Sequence, residues 1–154
     1  MYKKIMVPLD GSKLAECVLP HVEAFIEECR VNTITFVRVV EPAAAFYSGY
    51  YPINPEVFKE KEIEAAGIAK DYLDQAMSRL KHMRAELHAE VLVGNVAESL
   101  ADFIDKNDFD LILIATHGRS GVKRWVRGSI ADKVLRSSNI PVFMVRAPGS
   151  EGGI

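Results

Sequence analysis

The chain has very little from which to build a cross-linked or metal-clustered protein. It holds 2 cysteines and 4 histidines in 154 residues. Cys17 and Cys29 fall in one predicted helix, where a rise of ~1.5 Å per residue sets them roughly 18 Å apart, beyond disulfide reach. His21, His82, His88 and His117 show neither HExxH nor paired Cys/His spacing, so no zinc motif is present. Long apolar runs are missing too, since none approaches the ~20 residues that a membrane span needs. The opening MYKKIMVPLD reaches Pro8 and Asp10 too soon to make a signal-peptide core. These absences predict a soluble, cytoplasmic chain with reduced thiols and no membrane partner. With 49% hydrophobic and 26% charged residues, its composition is that of a globular protein. The length suits one α/β domain over 1–147, followed by a flexible tail, 148–154.

A strong net charge is also lacking, at −2. The charge is unevenly placed, however. Between 117 and 136, Arg119, Lys123, Arg124, Arg127, Lys133 and Arg136 face one acid, Asp132, so the rest of the chain is acidic. A local cationic field on a mildly acidic protein suits a small anionic ligand better than nucleic acid, which asks for a basic face across the domain. A solvated basic loop and helix face is the plain alternative.

Strand and helix patterns alternate along the whole length. KKIMVPL is a short apolar run, and SKLAECVLPHVEAFIEEC follows with Leu14, Val18, Val22 and Phe25 at helical spacing. Ser12 is placed to cap this helix, and Pro20 predicts a bend or split within it. TITFVRVVE reads as a second strand. The segment 42–56 carries Pro42, Pro52, Pro55 and Gly49 among Phe46, Tyr47, Tyr50 and Tyr51, and predicts an irregular excursion that is either a lid or a cover for the core edge. The longest helix is predicted over 57–86, with Ala69, Leu73, Ala76, Leu80, Met83 and Leu87 on its core stripe and Met77 also packing. HAEVLVG, VAESLADFIDKN, FDLILIA, SIADKVLRSS and IPVFMVR complete five strands and four helices. Such alternation predicts a single doubly wound, five-stranded parallel sheet with helices on both faces, its ligands gathered outside the carboxyl ends of the strands.

The two familiar phosphate loops are both absent. VPLDGS after the first strand has one glycine and cannot read G-x-G-x-x-G, and no G-x-x-x-x-G-K-[ST] occurs. After the fourth strand, in contrast, the chain presents Gly118 and, after nine intervening residues, Gly128-Ser129 opening a helix. Glycines let main-chain N–H groups approach an anion, and a helix start offers unpaired donors. Ser129 is equally placed to cap that helix, with Asp132 as a capping-box partner.

This stretch, Ala115-Thr-His-Gly118, nine residues, Gly128-Ser129, resembles the universal stress proteins, whose nucleotide-binding members carry G-x-x-G-x(9)-G-[ST] there. MYKKIMVPLDGS and SSNIPVFMVR look like the family's first strand and its closing helix end and last strand, so the resemblance covers nearly the whole chain. It implies an adenine nucleotide, ATP with or without Mg2+, bound in a regulatory or sensing role without efficient catalysis. By position, Pro8, Leu9, Asp10 and Val39 would flank adenine and ribose. Ala115, His117, Gly118, Arg119, Gly128, Ser129 and Ile130 would line the phosphate side. Asp10 has a competing role as a cap. Ala115 stands where the family has glycine, which costs on the order of 1 kcal/mol if positive φ is needed there and almost nothing if it is not. His117 lacks a partner for general-base work and is expected to pack within its loop. The resemblance also implies a homodimer through the strand Ile140 to Arg146. Other readings of the same residues are a nucleotide-free interaction module and a slow ATP hydrolase or nucleotidyl transferase.

Overall fold

A computed structural model of the protein describes residues 2–46, 49, 54–116 and 130–148. Its elements run β1 (Lys4–Pro8), α1 (Leu19–Glu28), β2 (Thr33–Val40), α2 (Pro55–Ser78), β3 (Glu86–Val93), α3 (Val96–Asn107), β4 (Leu111–Ala115), α4 (Ile130–Ser137) and β5 (Val142–Val145). Short 3-10 turns at Ala15–Val18 and Ala43–Phe46 interrupt the simple alternation. All four strand pairings are parallel and the order is β3-β2-β1-β4-β5. The chain therefore steps from β1 outward to β3, then returns to the far side of β1 for β4 and β5. Strand order reverses between β1 and β4.

Side-chain character explains which strands hold the centre. KIMVP and LILIA are buried at four of their positions each, as a strand covered by helices on both faces must be. β3 instead alternates exposed Glu86, His88 and Glu90 with half-buried Leu87, Ala89 and Val91, a pattern that leaves one row in water. One core lies under α1 and α2, where Leu19, Val22, Ile26, Leu73 and Ala76 meet Ile5, Val7, Ile34, Phe36, Leu111 and Leu113. The other lies under α3 and α4, where Leu100, Ile104, Ala131 and Val134 meet Met6, Val37, Ile112 and Ile114. The predicted doubly wound sheet is the observed one.

Two expectations change in detail. The bend expected at Pro20 is a change of helix type: Ala15–Val18 is 3-10, and α1 begins at Leu19 with Pro20 in its first turn, where a missing N–H breaks no helical bond. The helix expected over 57–86 is α2, which starts earlier, under an Asn54 cap accepting from the Glu56 N–H at 3.0 Å. It ends at Ser78. Leu80 and Met83 still pack on the same core after turns closed by Leu80 N–H to Met77 O and Met83 N–H to Leu80 O, both 2.9 Å. Leu87 belongs to β3, opposite Ile34. Burial on one core prolonged the helical stripe past the helix itself. Of the excursion at 42–56, Tyr47, Tyr50 and Tyr51 and the side chain of Phe46 lie outside the described residues, as does the tail from 149.

Candidate functional site at the strand-order reversal

The seam between β1 and β4 opens toward the carboxyl end of the sheet. β1 pairs with β2 as far as Pro8 opposite Val37, and β4 pairs with β5 as far as Ala115 opposite Val145. Between β1 and β4 only Ile5 with Leu111 and Met6 with Ile112 are in register. Main-chain groups of successive strand residues point to opposite neighbours. Leu9 N–H donates to Val37 O on β2, and Lys4 O accepts from Asp110 N–H on the β4 side, both at 2.9 Å. By that alternation Pro8 faces β4, and proline has no N–H to offer. The ladder stops where strand order reverses, which is where open α/β sheets hold their ligands.

The turn after β1 is built by Asp10. Its Oδ1 accepts from the Ser12 N–H at 2.9 Å and from the Ser12 hydroxyl at 2.6 Å. The Ser12 Oγ in turn accepts from the Ala15 N–H at 3.1 Å. This is the Asx-type solution to a tight exit from a strand, and Gly11 supplies the φ of 87° that it needs. The helix cap expected of Ser12 is not formed: Ser12 holds the Ala15 N–H of the 3-10 turn, while α1 begins after Val18 without a side-chain cap. Asp10 stabilises that turn while standing at the mouth of the seam.

The other sequence-predicted residues divide clearly. Pro8 is buried and Val39 half-buried, packed on the α3/α4 side. Leu9 is 3% exposed, its side chain sits in the opposite core and its N–H turns to β2, so it does not face the seam. Ala115 ends β4 half-buried. Among the described non-glycine residues only Arg30 and Asp108 have positive φ, so the strain considered for alanine at 115 does not arise. Thr116 extends the strand through its N–H to Val145 O at 2.8 Å. Ile130 opens α4 with 42% of its surface exposed. His117, Gly118, Arg119, Gly128 and Ser129 lie outside the described residues, as do Lys123, Arg124 and Arg127. On α4 itself, Arg136 reaches back one turn to Asp132 at 3.1 Å, so part of the basic segment is paired. Among the described residues no His, Cys, Asp and Glu group could hold a metal ion, and Cys17 and Cys29 are free thiols.

Three residues that sequence reasoning missed surround the Asp10 turn. A Cβ on Gly11 would stand 2.8 Å from Arg38 Cζ and Nη2 and 3.0 Å from Nη1, so the guanidinium lies flat against the glycine. The same guanidinium covers the Tyr72 ring, 5.3 Å from its centroid. The Tyr72 hydroxyl donates to the Ser12 carbonyl at 3.2 Å. Burial above all, then the negative charges of Glu16 and Asp10, push that phenol well above its ordinary range, which keeps it a donor. Glu16 is held by Lys13 at 3.2 Å and Arg79 at 3.0 Å. A signal did exist: Arg38 is the one charge inside TITFVRVV, and Tyr72 adjoins Leu73 on the apolar side of α2.

The universal stress protein family model matches residues 1–146. A universal stress protein of Methanocaldococcus jannaschii, MJ0531, is 29% identical over 153 residues, spanning 98% of this chain and 86% of its own. The solved structure of MJ0577 superposes with a TM-score of 0.80 at 25% identity, covering 95% of this chain and 96% of that one. Two more distant structures share the fold: a universal stress protein in complex with cAMP, at TM-score 0.64 and 18% identity over 95% of this chain and 98% of that one, and an Arabidopsis thaliana family protein with AMP bound, at TM-score 0.62 and 12% identity over 97% and 94%. With a parallel sheet of matching architecture, and a family model spanning nearly every residue, this chain belongs to the universal stress protein family.

Proposed function

We propose that the protein is a cytoplasmic binder of adenine nucleotide, ATP with or without Mg2+, acting in regulation or sensing without efficient catalysis. The observation that carries this reading is the seam opened by Pro8 between β1 and β4, with the Asp10 turn on one side and the end of β4 on the other. The base and ribose would lie beside Pro8, Val39 and Asp10, and the triphosphate would run toward Gly118 and Gly128-Ser129, where the sequence concentrates glycine and cationic residues. Family neighbours that hold cAMP and AMP support the same ligand class. Two unpaired cysteines suit a reducing compartment. Binding without turnover is favoured because the sequence has no P-loop lysine and no carboxylate close to His117 along the chain.

Calorimetric titration of the purified chain with ATP, ADP and AMP, with and without magnesium, tests the proposal. Micromolar ATP binding with no measurable release of phosphate is expected. Absence of heat at saturating ATP removes the nucleotide reading, and phosphate release that disappears in Ser129→Ala would make the protein an enzyme.

A homodimer through Ile140 to Arg146 belongs to the same proposal. β5 is an edge strand and Phe143 on it is 39% exposed; an apolar edge of this kind pairs unless shielded. Sedimentation at micromolar concentration should show a species of twice 17.1 kDa, and a monomer would remove the dimer.

A further inference from the structure

We propose that Arg38 and Tyr72 form a clamp through which α2 sets the conformation of the Asp10–Ser12 turn, making both positioning residues for the nucleotide site. The inference rests on the nucleotide reading and extends it to a part of the molecule that does not line the seam.

The turn is weakly held by its own chain. Asp10, Gly11 and Ser12 follow the last paired residue of β1, and Gly11 has more conformational freedom than any other residue type. Its local bonds run from Asp10 Oδ1 to the Ser12 N–H and hydroxyl and from Ser12 Oγ to the Ala15 N–H. All of these close within the turn and the 3-10 segment that follows it. Gly11 and Ser12 are also reached from outside. The Tyr72 hydroxyl holds the Ser12 carbonyl, and the Arg38 guanidinium lies on the face of Gly11 where any side chain would stand. Arg38 is itself held over the Tyr72 ring, a cation–π contact that fixes a long, otherwise mobile side chain. One residue of β2 and one of α2 thus meet on a three-residue turn. β2 also carries Val39, the next residue along, whose side chain belongs to the opposite face of the sheet. The clamp and the adenine-facing surface are therefore on opposite sides of one strand.

Such an arrangement couples α2 to ligand binding. A clamp that holds the turn in its binding conformation removes an ordering cost that the ligand would otherwise meet. By linkage, a bound nucleotide must tighten the clamp by the same free energy.

Calorimetry with ATP on the full chain tests this, together with hydrogen exchange at the Ser12 and Ala15 amides without nucleotide. Tyr72→Phe removes only the donor, and Arg38→Met keeps the stem while deleting the guanidinium. Each is expected to weaken ATP binding about three- to tenfold. Exchange at both amides should rise severalfold while strand amides of β1 and β4 exchange as before, a local change that general destabilisation does not produce. Wild-type affinity in both variants, or unchanged exchange at both amides, overturns the clamp. If the unaltered protein takes up no ATP, the nucleotide reading fails instead, and the exchange arm still decides whether α2 holds the turn.

Discussion

The two ends of the sheet solve the same problem in opposite ways. At the amino end, the Asp110 carboxylate accepts from the Lys3 and Lys4 N–H groups, each at 2.8 Å. Lys4 Nζ donates to Asn107 O and also covers the Phe109 ring at 4.7 Å. Asn32 and Thr33 donate to Lys3 O, and Glu86 donates to Asn32 O. Neighbouring strands are stitched directly to one another there. At the carboxyl end β1 and β4 part company, and a turn held mainly by its own side chains stands in the gap. A closed edge stabilises the fold, whereas an open edge leaves room for a ligand between two strands. On the proposed nucleotide reading, Asp110 serves stability and Asp10 serves binding, although both are aspartates that accept from main-chain amides.

The strongest way to break this contrast is Asp110→Ala, which strips from the closed edge the carboxylate oxygen that accepts two charge-assisted hydrogen bonds. Because the carboxylate is partly solvated, a loss of about 2 kcal/mol is expected in urea unfolding, with ATP affinity unchanged. The same group gives a pH signature. Its main-chain donors from Lys3 and Lys4 hold the Asp110 carboxyl below the usual carboxylate range. Its contribution is complete above the unfolded value of about 4 and is lost as pH falls through the lower folded value. The melting temperature of the Asp110→Ala variant should therefore fall less steeply with acidification than that of the unaltered protein.

At the open edge Gly11→Ala should cost about 1 to 2 kcal/mol, because a Cβ at φ 87° is strained and meets the Arg38 guanidinium. Here, unlike at Asp110, ATP affinity should fall as well. Ala115→Gly restores the family residue at a strand position without positive φ, so urea unfolding should show a loss of about 0.5 to 1 kcal/mol from backbone entropy, and titration no gain in ATP affinity. Pro8→Ala is the most delicate test. It offers β4 a new donor while loosening the unfolded chain, so stability should change by less than about 0.5 kcal/mol. ATP binding should weaken as the seam closes; binding as tight as before would show that Pro8 does not keep it open.

Much of the fold is legible in the sequence. Alternation of KIMVPL, TITFVRVV, HAEVLVG, FDLILIA and IPVFMVR with helical stripes predicted the doubly wound sheet, because period and burial are local properties of a strand or helix. VAESLADFIDKN is α3 to the residue, since Asn95 caps its start, accepting from the Glu98 N–H at 3.3 Å, and Asp108 takes the left-handed exit at φ 50°. Pro8, Asp10 and Ala115, singled out by the motif resemblance, lie at the carboxyl ends of β1 and β4. The end of α2 was misjudged because Leu80 and Met83 stay buried after the helix stops. Arg38 and Tyr72 went unrecognised for a different reason: they are 34 positions apart in sequence, and neither is unusual without the other.

By itself the sequence determined the class of fold and the family, because hydrophobic period and glycine spacing act over a few residues. Only the tertiary structure decided that the β1–β4 ladder stops at Met6, that alanine at 115 is unstrained and that a strand arginine and a helix tyrosine converge on Gly11 and Ser12. Those outcomes depend on register and on which surfaces meet when the chain reverses direction around β1, and no local pattern encodes a meeting between distant segments.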